Sequence, residues 1–231
     1  SVCAVDSEQG TVQPIRKITE ILEDFPNCRL HVDATQAIGK TELVMDGVDT
    51  MSIAPHKFYG LNGSGLLLKK SSLIIEPQTH GGSSTTPYRS GTPALALAVS
   101  IEKALQLTLT QQEERIRYVR QLNEYLKTAL LHYPAVRINS PEGAVPHILN
   151  LSVQGLKGTV FQRVLSERGV CVSVKSACSA EGTPSKAVFA VSGDRKNALS
   201  SWRVSLSHLT TREELDEFLQ VFDQCYKELG P

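Results

Sequence analysis

The sequence predicts an α/β protein whose main sheet is mostly parallel, joined by long helices to a smaller α+β domain. Three observations support this fold class. Short apolar strands surround a helix in the first part of the chain, long amphipathic helices follow Pro93, and further short strands and helices come after a Pro- and Gly-rich break at 132–147. We expect two domains, at residues 1–107 and 108–231.

The first part of the chain begins with the apolar stretch SVCAV (1–5), which predicts a strand that runs directly into a polar turn. QPIRKITEILEDF (13–25) predicts a helix, because Pro14 suits a first helical turn and apolar residues recur at helical spacing. These apolar residues are Ile15, Ile18, Ile21, Leu22 and Phe25. Three further strands are predicted within RLHVDA, DTMSIA and GSGLLLKK. The strand–helix–strand order favours parallel pairing with a crossover helix.

The second part of the chain begins with a long predicted helix, TQQEERIRYVRQLNEYLKTALLHY (110–133), which starts at a capping box formed by Thr110 and Glu113. HILNLSV, VCVSV and WRVSLS predict strands, and GTVFQRVLSERG predicts a helix that ends at Gly169. Thr211 and Glu214 predict the capping box of a final helix. Its inner face is expected to consist of Leu215, Phe218, Leu219, Phe222 and Leu229.

Composition argues against several classes of protein. The net charge is +0 and there is no Lys/Arg block, which speaks against a nucleic-acid partner or a membrane surface. No apolar run reaches the length of a membrane span, and the N-terminus does not resemble a signal peptide. The five cysteines include no CxxC pair. We therefore expect neither a disulfide framework nor a zinc site. We expect the protein to occur in a reducing, cytoplasmic environment.

Two residues point to a carbonyl cofactor. Lys57 lies in SIAPHKFYGLNGSG (52–65), and a lysine desolvated in such an aromatic turn can act as a nucleophile, although most loop lysines are solvated. Asp33 ends the apolar strand RLHVD, where a carboxylate is either exposed or paired with a cation. The pyridine nitrogen of pyridoxal 5'-phosphate (PLP) is such a cation. The alternative for Asp33 is the N-cap of a following helix.

Five motifs in order, HVDATQAIGK, HKFYG, HGG, YRSGT and KSACS, closely resemble the NifS/IscS family of cysteine desulfurases. This family belongs to the class-V, aspartate-aminotransferase-like PLP enzymes of fold type I. The resemblance runs from about Val5 to the C-terminal helix and matches the later part of a family member. It implies part of a large PLP-binding domain in residues 1–107, and a connecting helix with the C-terminal small domain in 108–231.

The resemblance implies a cofactor site. Lys57 corresponds to the lysine that forms the Schiff base with PLP and moves a proton at the substrate carbon. Asp33 corresponds to the partner of the pyridinium nitrogen, Gln36 to the donor to the phenolic oxygen, and His56 to a phosphate-binding histidine. Thr92 corresponds to a residue that reaches the PLP phosphate of the partner subunit, which implies a homodimer. Alternatives remain open, since His56 could be a capping or core histidine and Thr92 a helix N-cap.

The resemblance also implies the reaction. Arg203 corresponds to the arginine that binds the substrate carboxylate, and Cys178 to the nucleophile that takes sulfur from L-cysteine, leaving L-alanine. The persulfide sulfur would then pass to an acceptor protein, as in iron–sulfur cluster assembly. From the residues alone, Arg203 could form a surface salt bridge and Cys178 could be an ordinary small apolar residue. Other possibilities are a related lyase, such as a selenocysteine lyase, and a non-catalytic scaffold.

Several positions depart from the family pattern. Ser7 stands where the family usually has Asn, and Ala54 replaces a serine two residues before the HK pair. Val174 and Lys175 replace Ser and Gly before the cysteine motif. Asp33, Gln36, His56 and Lys57 remain, so the sequence still predicts PLP binding.

Overall fold

The computed structural model describes residues 1–82, 86–175 and 182–230. The chain divides into two compact units. The first unit comprises residues 1–4 and 14–111, and the second comprises residues 5–13 and 112–231. Each unit contains its own sheet, so the chain passes between the units after residues 4, 13 and 111.

The first unit is built on a four-stranded sheet in the order β1-β2-β3-β4. Its strands are β1 (Val2–Cys3), β2 (His31–Asp33), β3 (Thr50–Ile53) and β4 (Leu66–Lys69). β1, β2 and β3 are mutually parallel, and β4 pairs antiparallel with β3. The predicted mixed, mostly parallel sheet is therefore confirmed.

The two faces of this sheet differ in polarity. Val32, Met51 and Ile53 point to one face and are buried. The opposite face carries His31, whose Nδ1 lies 2.8 Å from Thr50 Oγ1 and whose Nε2 lies 3.3 Å from Ser52 Oγ. Side chains alternate between the faces of a strand, so Asp33 lies on the same polar face as His31. The polar face ends at Asp33, where β2 stops.

Two helices complete the first unit, α1 (Ile15–Leu22) and α2 (Leu95–Thr110). The predicted α1 forms directly after Pro14, but it ends before Phe25 and its expected apolar face is only partly buried. Ile15 is buried, whereas Ile21 and Phe25 are 61% and 56% exposed. The periodicity thus identified the helix correctly but overestimated how much of it is covered in this chain.

The second unit contains a three-stranded antiparallel sheet in the order β5-β6-β7. Its strands are β5 (Val136–Ile138), β6 (Ile148–Val153) and β7 (Ser201–Ser205). Its helices are α3 (Gln112–Leu130), α4 (Gly158–Ser166), α5 (Lys186–Ser192), α6 (Arg195–Ser200) and α7 (Arg212–Leu229). β6 is buried along its whole length.

The apolar core of the second unit lies between β6, β7 and three helices, α3, α4 and α7. Trp202 is fully buried there and stacks on Phe161, with ring centroids 5.4 Å apart. Phe218 and Phe222 of α7 pack on the same aromatic group. The predicted inner face of the last helix is confirmed, as is its capping box between Thr211 and Glu214.

Two predictions about local structure are wrong. VCVSV forms no strand, because only Ser173 pairs with the edge of β7, through an isolated bridge to Arg203. Thr110 does not begin a helix, since α2 runs through it and α3 starts at Gln112. In the described part of the chain, no helix combines the length and apolar character that crossing a bilayer requires.

Candidate active site

The turn after β2 carries Asp33 and Gln36. Asp33 Oδ1 accepts a hydrogen bond from Thr35 N at 2.9 Å, which fixes the carboxylate and resembles the predicted capping role. Asp33 Oδ2 has no hydrogen-bond partner within the described residues. One oxygen therefore orders the turn, and the other remains available to a cationic group.

Gln36 is oriented by Lys40. Lys40 Nζ lies 2.6 Å from Gln36 Oε1, and an ammonium group can only donate. The amide oxygen of Gln36 must therefore face Lys40, which leaves the amide hydrogens of Nε2 directed elsewhere. Gln36 is thus set to donate to an acceptor such as a phenolic oxygen.

Lys57 ends a short 3-10 helix, Pro55–Lys57, which follows β3. Buried Pro55 and Phe58 hold this turn on either side of the exposed pair His56 and Lys57. Pro55 O accepts hydrogen bonds from Phe58 N and Gly60 N, both at 3.0 Å. The buried ring of Phe58 thus anchors the turn to the core, while Lys57 projects from it.

A second contact ties this turn to α2. Thr108 Oγ1 donates to Phe58 O at 3.4 Å, and Gly39 packs directly against the methyl group of Thr108. Thr108 therefore contacts both the turn that carries Gln36 and the turn that carries Lys57. Since β2 and β3 are parallel neighbours, the two turns leave the same edge of the sheet.

This edge of the sheet presents groups that suit PLP. Within the described residues, neither the amine of Lys57 nor the ring of His56 has a hydrogen-bond or ion-pair partner. A carboxylate oxygen, an amide donor, an amine and an imidazole thus remain available after two adjacent strands. These are the donor and acceptor types that a pyridine nitrogen, a phenolic oxygen, an aldehyde and a phosphate require.

Thr92 lies in an exposed, irregular stretch before α2. Its neighbours Gly91 and Pro93 are exposed as well. α2 begins at Leu95 with Ala94 as its N-cap, so Thr92 is not the N-cap of this helix. Its position leaves the hydroxyl accessible to a ligand or another chain.

Arg203 lies in β7 of the second unit and is half-buried. Its Nη1 donates to the main-chain oxygen of Ser7 at 2.6 Å, and its Nε donates to Ser205 Oγ at 3.0 Å. Burial lowers the pKa of Arg203, while the carboxylates of Glu8 and Asp6 oppose this shift. The guanidinium group therefore lies in a partly desolvated place that favours an additional anion.

A cleft of about 460 Å³ opens beside Arg203 in the second unit. Its walls come from the stretch 168–173, from the end of β7 and from the first turns of α7. Main-chain bonds join Ser173 to Arg203 in both directions, at 2.6 and 3.1 Å. The chain leading to the cysteine motif is thus attached to the strand that carries the arginine.

Cys178 lies outside the described residues. The flanking residues are described, and Lys175 Nζ donates to the carbonyl oxygen and the hydroxyl of Thr183 at 3.0 and 2.9 Å. Lys175, one of the departures from the family pattern, therefore joins the two ends of the segment that contains Cys178. No group of residues able to hold a metal ion occurs in the part of the chain that the structure describes.

Sequence reasoning missed two residues of these sites. Lys40 follows Gln36 by four residues, a spacing at which side chains meet on a helical turn, and this signal could have identified it. Glu8 had no such signal, because its partner Ser185 is 177 residues away in the chain.

Comparisons with known proteins identify the family of the chain. The sequence model of the aminotransferase class-V family matches residues 1–218. A NifS/IcsS protein homolog of Lactobacillus delbrueckii is 36% identical over 233 residues, covering 98% of this chain and 60% of the relative. Cysteine desulfurase IscS of Dictyoglomus turgidum is 31% identical, covering 99% of this chain and 59% of the relative. The chain thus spans about 60% of the length of these relatives.

Solved structures agree with the fold. A NifS-like protein superimposes with a TM-score of 0.88 at 29% identity, over 98% of this chain and 60% of that one. A NifS-like protein from Rickettsia africae gives a TM-score of 0.87 at 25% identity, over 97% of this chain and 61% of that one. SspA in complex with cysteine gives 0.72 at 27% identity, over 90% and 58% of the two chains. The predicted fold class and the family resemblance are confirmed.

Proposed function

Since this chain belongs to the class-V aminotransferase family, we propose that it carries cofactor- and substrate-binding parts of a PLP-dependent cysteine desulfurase. The proposed reaction converts L-cysteine into L-alanine and leaves the sulfur on Cys178. The names of the relatives support this choice within the family, because several are cysteine desulfurases.

The observation that carries the proposal is the set of available groups at the edge of the first sheet. Asp33 has one carboxylate oxygen available, Lys40 directs the amide hydrogens of Gln36 away from itself, and Lys57 is exposed. A surface lysine alone would need no such companions. Asp33 would hold the pyridine nitrogen, Gln36 the phenolic oxygen and His56 the phosphate, while Thr92 would reach the phosphate bound by the partner subunit.

When bound, PLP supplies an electron sink for bonds broken at the substrate's α- and β-carbons. The residues of this chain would do the remaining work. Asp33 keeps the ring nitrogen protonated by placing a negative charge beside it. Lys57 would be the residue that holds the cofactor's aldehyde carbon, and its amine would move a proton at the substrate carbon.

Arg203 would bind the substrate carboxylate. Its guanidinium group can form two parallel hydrogen bonds to a carboxylate, and its partial burial strengthens each of them. Ser7 O and Ser205 Oγ already fix the Nη1 and Nε atoms. The bound carboxylate would therefore meet an arginine whose orientation is set in advance.

Cys178 would complete the reaction as a nucleophile. Its thiolate would attack the substrate sulfur, forming an S–S bond as the C–S bond breaks, and the substrate carbon would gain a proton from Lys57. The resulting persulfide would then pass its sulfur to an acceptor protein. A cytoplasmic homodimer, in which Thr92 serves the partner subunit's phosphate site, belongs to the same proposal.

The test is covalent labelling of Lys57. The purified chain is mixed with PLP, reduced with borohydride and analysed by peptide mass spectrometry, beside Lys57→Ala and the exposed control Lys17→Ala. We expect an absorption band that borohydride removes, and a phosphopyridoxyl group on Lys57 in the unaltered chain and the control. Absence of the label at Lys57, or equal labelling of several exposed lysines, would contradict the proposal and favour a scaffold role.

An assay of alanine release then tests the reaction. L-cysteine and L-selenocysteine are compared as substrates, with Cys178→Ser as the variant and Cys28→Ser as an exposed control. Loss of alanine release from L-cysteine in Cys178→Ser alone supports desulfuration by Cys178. Activity on selenocysteine that survives in Cys178→Ser would favour a selenocysteine lyase instead.

A further inference from the structure

Glu8 is a buried carboxylate that the proposed reaction does not use. Only 7% of its surface is exposed, although its neighbours in the chain form a polar turn. Removing a carboxylate from water is costly unless hydrogen bonds and positive charge compensate. The contacts that compensate for this cost therefore indicate what Glu8 does.

The carboxylate of Glu8 is bound by a buried hydroxyl. Ser185 Oγ donates to Glu8 Oε2 at 2.5 Å, and Ser185 is fully buried. The same hydroxyl accepts a hydrogen bond from Val188 N at 3.1 Å, as the N-cap of α5. Both the donor and an acceptor position of Ser185 are thus used, and the Glu8 side chain is attached to the start of a helix.

The main chain around Glu8 is attached to the sheet. Asn150 of β6 donates from Nδ2 to Glu8 O at 3.1 Å, and Asp6 Oδ1 accepts from Glu8 N at 2.9 Å. On its other side, Glu8 adjoins Ser7, whose carbonyl oxygen accepts the bond from Arg203 Nη1. The turn 6–10 is therefore fixed by its carboxylate, by its carbonyl group and by its own aspartate.

These contacts connect Glu8 to Arg203 through Ser7 and through Asn150. Asn150 of β6 is the register partner of Arg203 in β7, so the residue directly beside the arginine in the sheet makes the bond to Glu8 O. Glu8 also places a negative charge close enough to favour the charged form of the partly buried Arg203. The hydrogen bond to Ser7 O and the negative charge of Glu8 thus act on the same guanidinium group.

We propose that Glu8 is a positioning residue for Arg203. By binding Ser185, its carboxylate fixes the turn 6–10, and the turn holds the Ser7 carbonyl oxygen against the guanidinium group. The value of this arrangement for catalysis rests on the proposed function, in which Arg203 binds the substrate carboxylate. That Glu8 holds the turn 6–10 against Arg203 concerns this chain alone and can be tested without cofactor.

The first test is a double-mutant cycle on folding, with Glu8→Gln, Arg203→Gln and both changes together. Trp202 is the only tryptophan and lies in the core of the second unit, so its fluorescence reports the unfolding of that unit in urea. We expect Glu8→Gln to lower the folding equilibrium constant roughly tenfold when Arg203 is present, and less than about threefold when it is replaced. Equal effects in the two backgrounds would overturn the proposal.

Two further variants make this cycle decisive. Glu142→Gln removes an exposed carboxylate of the same unit and is expected to leave the folding constant unchanged. If Glu8→Gln does not fold, the cycle is run with Glu8→Asp, which keeps the charge but shortens the reach to Ser185. We expect Glu8→Asp, too, to lower the folding constant more when Arg203 is present than when it is replaced. Equal effects in the two backgrounds would overturn the proposal.

The second test separates positioning from a purely structural role. With PLP and L-cysteine supplied, Glu8→Gln is expected to raise KM roughly tenfold and to leave kcat within about twofold, with partial recovery in Glu8→Asp. A fall in kcat at unchanged KM would overturn the assignment. If no chain turns over cysteine, the proposed function fails, and the folding cycle still decides whether Glu8 holds Arg203.

Discussion

Gly39 offers a test of how the turn carrying Gln36 is held against α2. Its backbone has φ +72°, a region that L side chains rarely adopt, and a Cβ added there would overlap the Cγ2 methyl of Thr108. Thr108 is buried and also bonds the carbonyl oxygen of Phe58. Gly39→Ala should therefore strain the backbone and push the turn away from α2.

The two costs can be estimated separately. The left-handed backbone costs an alanine about 1–2 kcal/mol, and the overlap with a packed methyl group about 1–3 kcal/mol. Alanine also restricts the unfolded chain, which returns about 0.4–1 kcal/mol. We expect a net loss of about 2–4 kcal/mol in the free energy of opening this turn. In a Thr108→Ser background the overlap disappears but the hydroxyl remains, and the loss should fall to about 1 kcal/mol.

Amide hydrogen exchange measured by mass spectrometry on peptides covering 34–41 gives the opening free energy. The amides of Ala37, Ile38 and Lys40 donate within this turn, so their exchange reports its opening. Gly63→Ala is the control, since Gly63 has φ +93° and nothing within 4 Å of an added Cβ. If Gly39→Ala lowered the opening free energy equally with Thr and with Ser at position 108, the packing argument would be refuted.

Three other predictions concern folding. Thr211→Ala should destabilise the second unit by about 1 kcal/mol through loss of the α7 cap, and Thr211→Ser should recover most of it, measured by urea unfolding. Phe222→Ala should cost about 3–5 kcal/mol by Trp202 fluorescence, because Phe222 is fully buried; a cost below 1 kcal/mol would contradict this packing. The bond from Leu30 N lowers the pKa of Asp49, so this carboxylate stabilises the first unit above about pH 4 and the benefit is lost as pH falls. Asp49→Asn should flatten the acid side of a pH–stability curve followed by circular dichroism.

The placement of Asp33 and Lys57 after neighbouring strands could be predicted because it depends on local rules. Asp33 and the turn containing Lys57 each follow an apolar stretch, and the carboxyl ends of parallel neighbouring strands meet at one edge of a sheet. The final helix was predictable for a similar reason. Thr211 and Glu214 are three residues apart and form their capping box whatever the rest of the chain does.

The errors arise where structure depends on distant partners. VCVSV has a typical strand sequence, but a strand needs a neighbour along its length, and only Ser173 finds one. Thr110 and Glu113 have the spacing of a capping box, yet α2 stays helical through Thr110. Similarly, the spacing of Ile18 and Ile21 places them on one face of α1, but it does not show whether anything covers that face.

The bond between Ser7 and Arg203 joins residues 196 positions apart, and this separation affects how the protein is made. Translation proceeds at roughly 5–20 residues per second, so the stretch 5–13 leaves the ribosome about 10–40 s before the strand it must meet. During that interval the buried position of Glu8 does not yet exist, and the acidic turn stays in water. The contacts that fix Arg203 can therefore form only after β7 has been synthesised.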